Sequence, residues 1–179
     1  MIPVGFISAS AGGSFTPVTH TYNSGSGTEN IPTGASLLVI TSSAGGGGGS
    51  AGSGSGHPGG PGASQTKGNG TTTIAISSGD WGGSLFYNVG GIGPGAPSGI
   101  LGPGSAGGDS TVSASLSSGS IVMTAHGGGG GTTTTTGSSG TSTGGDVNNT
   151  GGGGSGGAGG IVGVGGQDGN PGQISFAYT

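Results

Sequence analysis

Apolar and polar residues alternate over short stretches of the chain, with the period of two that is typical of a half-buried β-strand. β-Branched and aromatic residues, which suit the pleated surface of a sheet, are frequent in these stretches. We predict strands within residues 4–10, 15–22, 35–43, 71–78, 84–90, 110–118, 120–126 and 173–179. The clearest inward-facing positions are Val112, Ala114, Leu116, Ile174, Phe176 and Tyr178.

Turn residues separate these stretches, as in SSGS at residues 117–120 and in the Asp168–Gly169 pair, which favours a tight turn. Good helix formers are scarce because glycine and β-branched residues take their place. The sequence therefore predicts an all-β fold, a small antiparallel scaffold of short strands without helices.

Glycine is far more frequent than in ordinary globular proteins, with 54 of 179 residues. Collagen requires glycine at every third position, whereas in this chain glycines come in runs such as Gly45–Gly49 and Gly127–Gly131. Such runs bring no side chain to bury, but their backbone can hydrogen-bond to neighbouring chains of the same kind. We predict that these runs form polyproline-II-like, or polyglycine II, segments packed side by side.

The pattern suggests three regions that together form one compact unit. Residues 1–43 are expected to form N-terminal strands, residues 44–172 a glycine-rich region with interspersed strands, and residues 173–179 a closing C-terminal strand.

Charge excludes several classes of partner. The net charge is −4, and Lys67 is the sole basic residue, so neither nucleic acid nor an anionic membrane surface is an expected partner. Only 3% of the residues are charged, which argues against a simple solvated linker. No apolar run is long enough for a membrane span, and the N-terminus lacks the basic region of a secretory signal. We expect synthesis and assembly in the cytoplasm.

No pattern of reactive side chains predicts chemistry. The three histidines lie far apart without ligand spacing, and the sequence has no cysteine. The aspartates lie beside glycines or in turns, too irregularly spaced for a repeated calcium site. We therefore expect no enzyme activity, no metal and no cofactor. These histidines and aspartates are His20, His57, His126, Asp80, Asp109, Asp146 and Asp168.

Two groups of residues are candidates for recognition. The first is a polar, uncharged loop flanked by glycine runs, since loops on a rigid scaffold often carry binding residues; a loop without a ligand is the alternative. The second is an aromatic group that either packs in the core or stacks on a sugar. The loop candidates are Thr132, Thr133, Thr134, Thr135, Thr136, Asn148 and Asn149, and the aromatic candidates are Trp81, Phe86 and Tyr87.

Four units of the sequence, in order, resemble the glycine-rich domain of bacteriophage virion proteins, which occurs in tail-fibre and head-decoration components. A proline-glycine turn precedes a strand and a glycine run, and an aspartate-glycine unit precedes the closing strand. The matching positions, within roughly residues 31–179, are Pro32–Gly34, Asp80, Val89–Gly91, Ala125–Gly131 and Gly166–Tyr178. Where that family has a Trp-Gly-Ala step, this chain reads Thr41-Ser42-Ser43-Ala44.

The resemblance implies a virion structural protein, exposed on the tail, fibre or capsid surface and assembled in the host cytoplasm. It implies contacts with other virion proteins, with a receptor on the bacterial surface as a further candidate partner. Because large apolar residues are few, we also expect a homo-oligomer, with a trimer favoured by analogy with fibres. The alternative is an ice-binding or extracellular structural protein built from polyglycine helices.

Overall fold

The computed structural model of the protein describes residues 14–52, 56–59, 64–67, 74–151, 154, 157–161 and 164–179. These residues form β-strands without any helix, so the predicted all-β class is confirmed. The strands are β1 (Val18–Tyr22), β2 (Ser26–Asn30), β3 (Leu37–Ser43), β4 (Ala51–Gly52), β5 (Ser64–Lys67), β6 (Ile74–Ala75), β7 (Ser84–Asn88), β8 (Ser110–Leu116), β9 (Gly119–Ala125), β10 (Ser142–Thr143), β11 (Val147–Asn149), β12 (Gly160–Ile161) and β13 (Gln173–Tyr178).

Two antiparallel sheets contain most of the strands. The first sheet has the order β1-β13-β3-β5-β11, and β6 also pairs with β3. The second sheet has the order β10-β9-β8-β7-β2. Strands β4 and β12 form a separate parallel pair. In the first sheet, β13 lies between β1 and β3 and so joins the end of the described chain to its first strand.

The two sheets pack face to face around one apolar core. Every second side chain of β13 is buried, as the alternation predicts, and β8 buries Val112 and Ala114 in the same way. Because the cluster contains residues of both sheets, burial of this apolar surface holds the sandwich together. Its buried members are Ile31, Ala35, Leu38, Ile40, Ile74, Ile76, Leu85, Val89, Val112, Ala114, Ile121, Met123, Ile174, Phe176 and Tyr178.

Strand β2 was not predicted, because its sequence SGTEN has no apolar side chain and therefore no period-two pattern. It forms through backbone pairing with β7 over its whole length. The strand predicted within residues 71–78 is shorter than expected, with β6 at Ile74–Ala75, and residues 71–73 lie outside the described part. The strand predicted at residues 4–10 also lies outside the described residues.

Residues 44–52, which we call the central segment, follow directly on β3 and are buried along their whole length. They are only alanine, glycine and serine, so no large apolar side chain fills the space around them. A buried backbone must still find partners for its N–H and C=O groups. The hydrogen bonds of the central segment therefore determine how it is held.

The N–H groups of the central segment donate to three neighbouring segments in turn. Donors that point to one neighbour are three residues apart, which is the number of residues per turn in a polyproline II helix. All three neighbours run antiparallel to the central segment, and one of them, residues 56–59, lies only a few positions after it in the sequence. Gly45, Gly48 and Ala51 donate to Gly108, Ser105 and Gly102, Gly46 and Gly49 to Asn170 and Gln167, and Ser50 to His57, over 2.8–3.1 Å.

The C=O groups of the central segment accept with the same period from three further segments. These acceptor partners run parallel to the central segment, since residue numbers rise together on both sides of each pair. Ala44, Gly47 and Ser50 accept from Gly154, Gly157 and Gly160, Gly45 and Gly48 from Gly128 and Gly131, and Gly46 and Gly49 from Gly93 and Ala96, over 2.9–3.0 Å.

Within the described residues, six segments thus surround the central one, and we call the whole assembly the glycine bundle. Adjacent segments of this ring run in opposite directions, and five of the six adjacent pairs hydrogen-bond directly, as Ser105 N–H does to Pro94 O and Gly169 N–H to Gly93 O. Between residues 56–59 and 128–131, the Ser50 hydroxyl donates to His57 O and Thr132 O. In ring order the segments are 90–96, 102–108, 128–131, 56–59, 157–160 and 166–172.

The close approach of these backbones requires glycine. At Gly48, a Cβ atom would lie well inside contact distance of the carbonyl of Pro94, and that carbonyl belongs to a backbone that cannot swing aside. At Gly91, by contrast, a Cβ atom would meet nothing within 4 Å. Glycine is thus needed inside the bundle for space, and on its outside it is not.

The expectation of a tight turn at Asp168–Gly169 is wrong. These residues lie inside the ring segment 166–172, where Gly169 N–H donates to Gly93 O over 2.9 Å. The Asp168 carboxylate accepts from Gly95 N–H over 2.7 Å and so links two neighbouring ring segments. Pairing with the bundle therefore overrides the local turn preference of the Asp-Gly pair.

A buried carboxylate joins the turn before β7 to the hairpin turn between β8 and β9. Asp80 accepts hydrogen bonds from the N–H and hydroxyl groups of both Ser77 and Ser117, over 2.7–2.9 Å. The Ser117 hydroxyl, followed by the N–H groups of Ser77 and Ser117, holds the pKa of Asp80 well below its ordinary value. The charged form is therefore the one that stabilises the folded state.

The substitution Gly48→Ala should destabilise the protein, because its methyl group would push the central segment away from residues 90–96. We expect the free energy of unfolding to fall by about 1–3 kcal/mol, as for other overpacked cores. Gly91→Ala is the matched control and should leave the midpoint of thermal unfolding nearly unchanged. Equal effects of the two substitutions would contradict the close packing of the bundle.

The stability of the protein should decrease in acid through Asp80. Because the folded-state pKa is depressed, its contribution is complete above pH of about 4 and is lost as pH falls below that value. Asp80→Asn should lower the free energy of unfolding at pH 7 by roughly 1–3 kcal/mol and flatten its decrease below pH of about 4. Denaturant unfolding across pH measures both effects. An Asp80→Asn variant with the wild-type acid profile would contradict this role.

Candidate functional surfaces

The loops at the far end of the glycine bundle lie together. The central segment runs away from the sandwich because it follows β3, and residues 90–96, 128–131 and 157–160 run parallel to it. The chain then reverses in loops at residues 97–101 and 132–136, and the N–H groups of Val164 and Gly165 both donate to Ile161 O. We call the described residues of 97–101, 132–136 and 161–165 the loop tip. Residues 162 and 163 lie outside the described part.

Contacts with residues 50 and 51, the last turn of the central segment, place these loops at the same distance along the bundle. Gly102 N–H and Ala51 O are paired, and so are Gly160 N–H and Ser50 O. The Ser50 hydroxyl also donates to Thr132 O over 2.6 Å. Gly165 lies against the backbone of residues 96–98. The described residues of the three loops therefore lie at the same end of the bundle, and two of the loops touch through Gly165.

The loop tip is uncharged, and two of its three loops carry exposed aliphatic side chains. Its exposed aliphatic side chains have exposures between 49% and 73%, and its three loops contain no Asp, Glu, Lys or Arg. A cluster of exposed apolar side chains on a soluble protein usually marks a contact surface. The aliphatic residues are Ile100, Leu101, Ile161 and Val164.

The threonine run forms a compact turn at this tip. Residues 132–136 are all exposed, as predicted, and the Thr132 hydroxyl accepts from the N–H groups of Thr134 and Thr135 over 3.2 and 2.9 Å. Ice binding calls for a flat face of evenly spaced threonines, which a turn of this kind does not provide. A recognition role for Thr132–Thr136 stays a prediction.

The other two loop candidates lie elsewhere, on an edge of the first sheet. Asn148 and Asn149 belong to β11, which pairs with β5, and both are exposed. The Asn148 side chain donates to Gly145 O over 2.7 Å and accepts from Gly145 N–H, so it shapes the preceding turn. Their part in recognition also stays a prediction.

The three candidate aromatic residues do not form one cluster. Trp81 is partly exposed, and its indole N–H donates to Ala35 O over 2.9 Å. Tyr87 packs against the core and stacks on Tyr22, with ring centroids 4.2 Å apart. Phe86 is 59% exposed and faces solvent from the second sheet. Of the two alternatives, core packing thus describes Tyr87, and only Phe86 fully presents a ring to a ligand.

A buried carboxylate links the edge strands of the two sheets. Glu29 of β2 is 3% exposed, and its two oxygens contact His20 Nδ1 and the Tyr22 hydroxyl of β1 over 2.8 and 2.6 Å. A groove of about 540 Å³ lies between these strands. Sequence reasoning did not single out Glu29, because β2 has no pattern that indicates a buried side.

The hydrogen bond to Glu29, followed by burial, raises the pKa of Tyr22 to about 12. Because the folded-state value exceeds the ordinary value of about 10, the protonated tyrosine stabilises the fold fully below that pH. This stability is lost as pH rises through about 12. Both oxygens of Glu29 are occupied by neighbouring side chains, so the group positions β1 against β2.

His126, Asp109 and His57 make local contacts. His126 follows β9, and its Nδ1 lies 2.9 Å from an oxygen of Asp109, whose other oxygen accepts from Gly127 N–H. His57 lies in a ring segment of the bundle, where its N–H donates to the Ser50 hydroxyl. Among the described residues, no three His, Asp or Glu side chains come together as a metal site.

Within the described part of the chain, no helix combines the length and the apolar character that crossing a bilayer would need.

Comparison with known proteins identifies no family. No protein-family model matches the sequence, and no curated protein matches it either.

Proposed function

We propose that this chain is a structural protein of a bacteriophage virion, an exposed glycine-rich component of the tail, the fibre or the capsid surface. The observation that carries the proposal is the glycine bundle, which holds a loop tip at the end remote from the sandwich. The three-residue period of its hydrogen bonds supports polyproline-II-type segments. That architecture fits the resemblance to the glycine-rich domain of virion proteins.

The loop tip is the part of the proposed virion protein that would meet the host. A rigid scaffold with exposed loops at one end is a common arrangement for recognition. The apolar side chains of Ile100, Leu101, Ile161 and Val164 would contact an uncharged surface of a bacterial receptor. The sandwich at the other end would then face the remainder of the particle.

The proposed homo-oligomer would form through the sandwich rather than through the bundle. The central segment of the bundle hydrogen-bonds to six other segments of the same chain, so the middle of the bundle needs no second chain. The sandwich has edge strands in both sheets, β1 and β2 among them, and unpaired edges are surfaces on which further strands or chains can pair. A trimer is the form favoured by analogy with fibres.

The virion proposal predicts that the protein is a component of particles. Antibodies raised against the purified chain, detected with gold, should label particles purified from cultures that express the chain from its own locus. Serum preabsorbed with the chain is the control and should leave particles unlabelled. Recovery of the protein only from the soluble cell fraction, with unlabelled particles, would refute the proposal.

The oligomer proposal predicts that the purified chain sediments as a trimer. Sedimentation equilibrium should give about three times the mass of 16.0 kDa that one chain has. A single species of one chain's mass over the whole concentration range would refute the oligomer, while the labelling of particles would remain a separate test of the virion assignment.

A further inference from the structure

The outer face of the second sheet carries a regular row of exposed side chains around Phe86. Register places Thr28 of β2, Phe86 of β7, Ser113 of β8 and Val122 of β9 directly beside one another. Four neighbouring strands at about 4.8 Å spacing give this row a length of roughly 14 Å. The length of this row is comparable with that of a short oligosaccharide.

Phe86 is exposed by its position in the strand and not by poor packing. Its neighbours Leu85 and Tyr87 point inward, and Leu85 is fully buried in the core. The alternation of the strand therefore places the Phe86 ring on the outside, where 59% of the residue is accessible. An aromatic ring in this position offers an apolar face with a negative quadrupole to a ligand.

Hydroxyl groups surround this ring. Thr28, Ser113, Ser115 and Ser120 are exposed, and none of their side chains makes a hydrogen bond to another described residue. Each hydroxyl can both donate and accept, as the hydroxyl groups of a sugar do. Asn30 and Asn88 add exposed amides at the margins of the same face.

The row is also uncharged and borders a groove, and the carboxylate of Asp109, which His126 contacts, lies beyond the end of β8. The outward positions of β2, β7, β8 and β9 contain no Asp, Glu, Lys or Arg. A groove of about 310 Å³ runs beside Phe86 and Val122, with Ser113, Ser115 and Ser120 in its lining. That volume is at the lower end of small-molecule sites, as expected for an open surface site.

From these observations we infer that the outer face of the second sheet binds a neutral glycan. The apolar C–H face of a sugar ring would stack on Phe86, and its hydroxyl groups would hydrogen-bond to Thr28 and Ser113. The absence of charge in the row disfavours acidic polysaccharides, because their carboxylates would find no cation to replace lost hydration.

A second copy of the chain fits this face less well than a glycan does. Stable interfaces between copies have apolar centres, whereas on this face Phe86 and Val122 are separated by Ser113 and bordered by Ser, Thr and Asn. The inference concerns the sandwich alone, and it stands whether or not the loop tip binds a receptor or the chain belongs to a virion.

The test is an array of neutral and acidic bacterial surface oligosaccharides, probed with the full-length chain on fluorescent beads so that weak sites act together. The wild-type protein should bind neutral glycans and no acidic ones. Phe86→Ala should weaken binding to the same glycans by about tenfold, and Thr28→Val by a smaller factor. Phe86→Trp should retain binding, which a merely structural role of the ring would not explain.

Ile92→Ala is the control, because Ile92 is an exposed apolar residue that belongs neither to this face nor to the loop tip, and it should bind as the wild type does. Thermal unfolding of each variant checks that the fold is intact. The inference is overturned if no neutral glycan binds, if acidic glycans bind equally, or if Phe86→Ala binds normally. If Phe86→Ala binds glycans normally and in addition dissociates an oligomer, the face is a contact between copies of the chain.

Discussion

Backbone hydrogen bonding around residues 44–52 is the interaction on which the structure depends. This segment is buried without large apolar side chains, so burial of side chains contributes little to holding it. Its N–H and C=O groups instead reach six neighbouring segments, and without those partners they would be buried and unsatisfied at a cost of kilocalories each. Ordering glycine is entropically expensive, so the segment can be stable only when the whole ring is assembled around it.

The sandwich and the bundle are stabilised by different kinds of packing, and a buried serine lies where they meet. The sandwich buries apolar side chains between two sheets, whereas the bundle excludes side chains so that backbones can touch. At the junction the Ser110 hydroxyl donates to Ser43 O and accepts from Gly90 N–H, both over 2.7 Å. At the other end of the central segment, Ser50 makes the equivalent links to His57 and Thr132. Small hydroxyls therefore satisfy backbone groups where the regular pattern ends.

The scarcity of charged side chains also determines the character of the outer surface. Few charges are present, and within the described residues they mostly hold backbone in place, as Asp80 does between two turns and Asp168 between two ring segments. The exposed surface is uncharged at the loop tip, where aliphatic side chains lie beside the threonine turn, and it is rich in hydroxyl groups on the second sheet. These two neutral surfaces lie at different parts of the molecule, and they are the places where the fold can present specificity to a receptor or to a glycan.

The sequence by itself determined the all-β class and the burial of alternating side chains such as Ile174 and Phe176, because a period of two depends only on neighbouring residues. It also indicated an exposed threonine loop. It could not reveal β2, which pairs through its backbone, or the link from Glu29 to His20, which requires two sheet edges to meet. The arrangement of the six ring segments was decided by the tertiary structure alone. Glycine has no side chain, so the sequence carries no pattern that indicates which neighbour each glycine faces. The Asp168–Gly169 pair, which favours a turn locally, is extended in the bundle because Gly169 N–H pairs with Gly93 O.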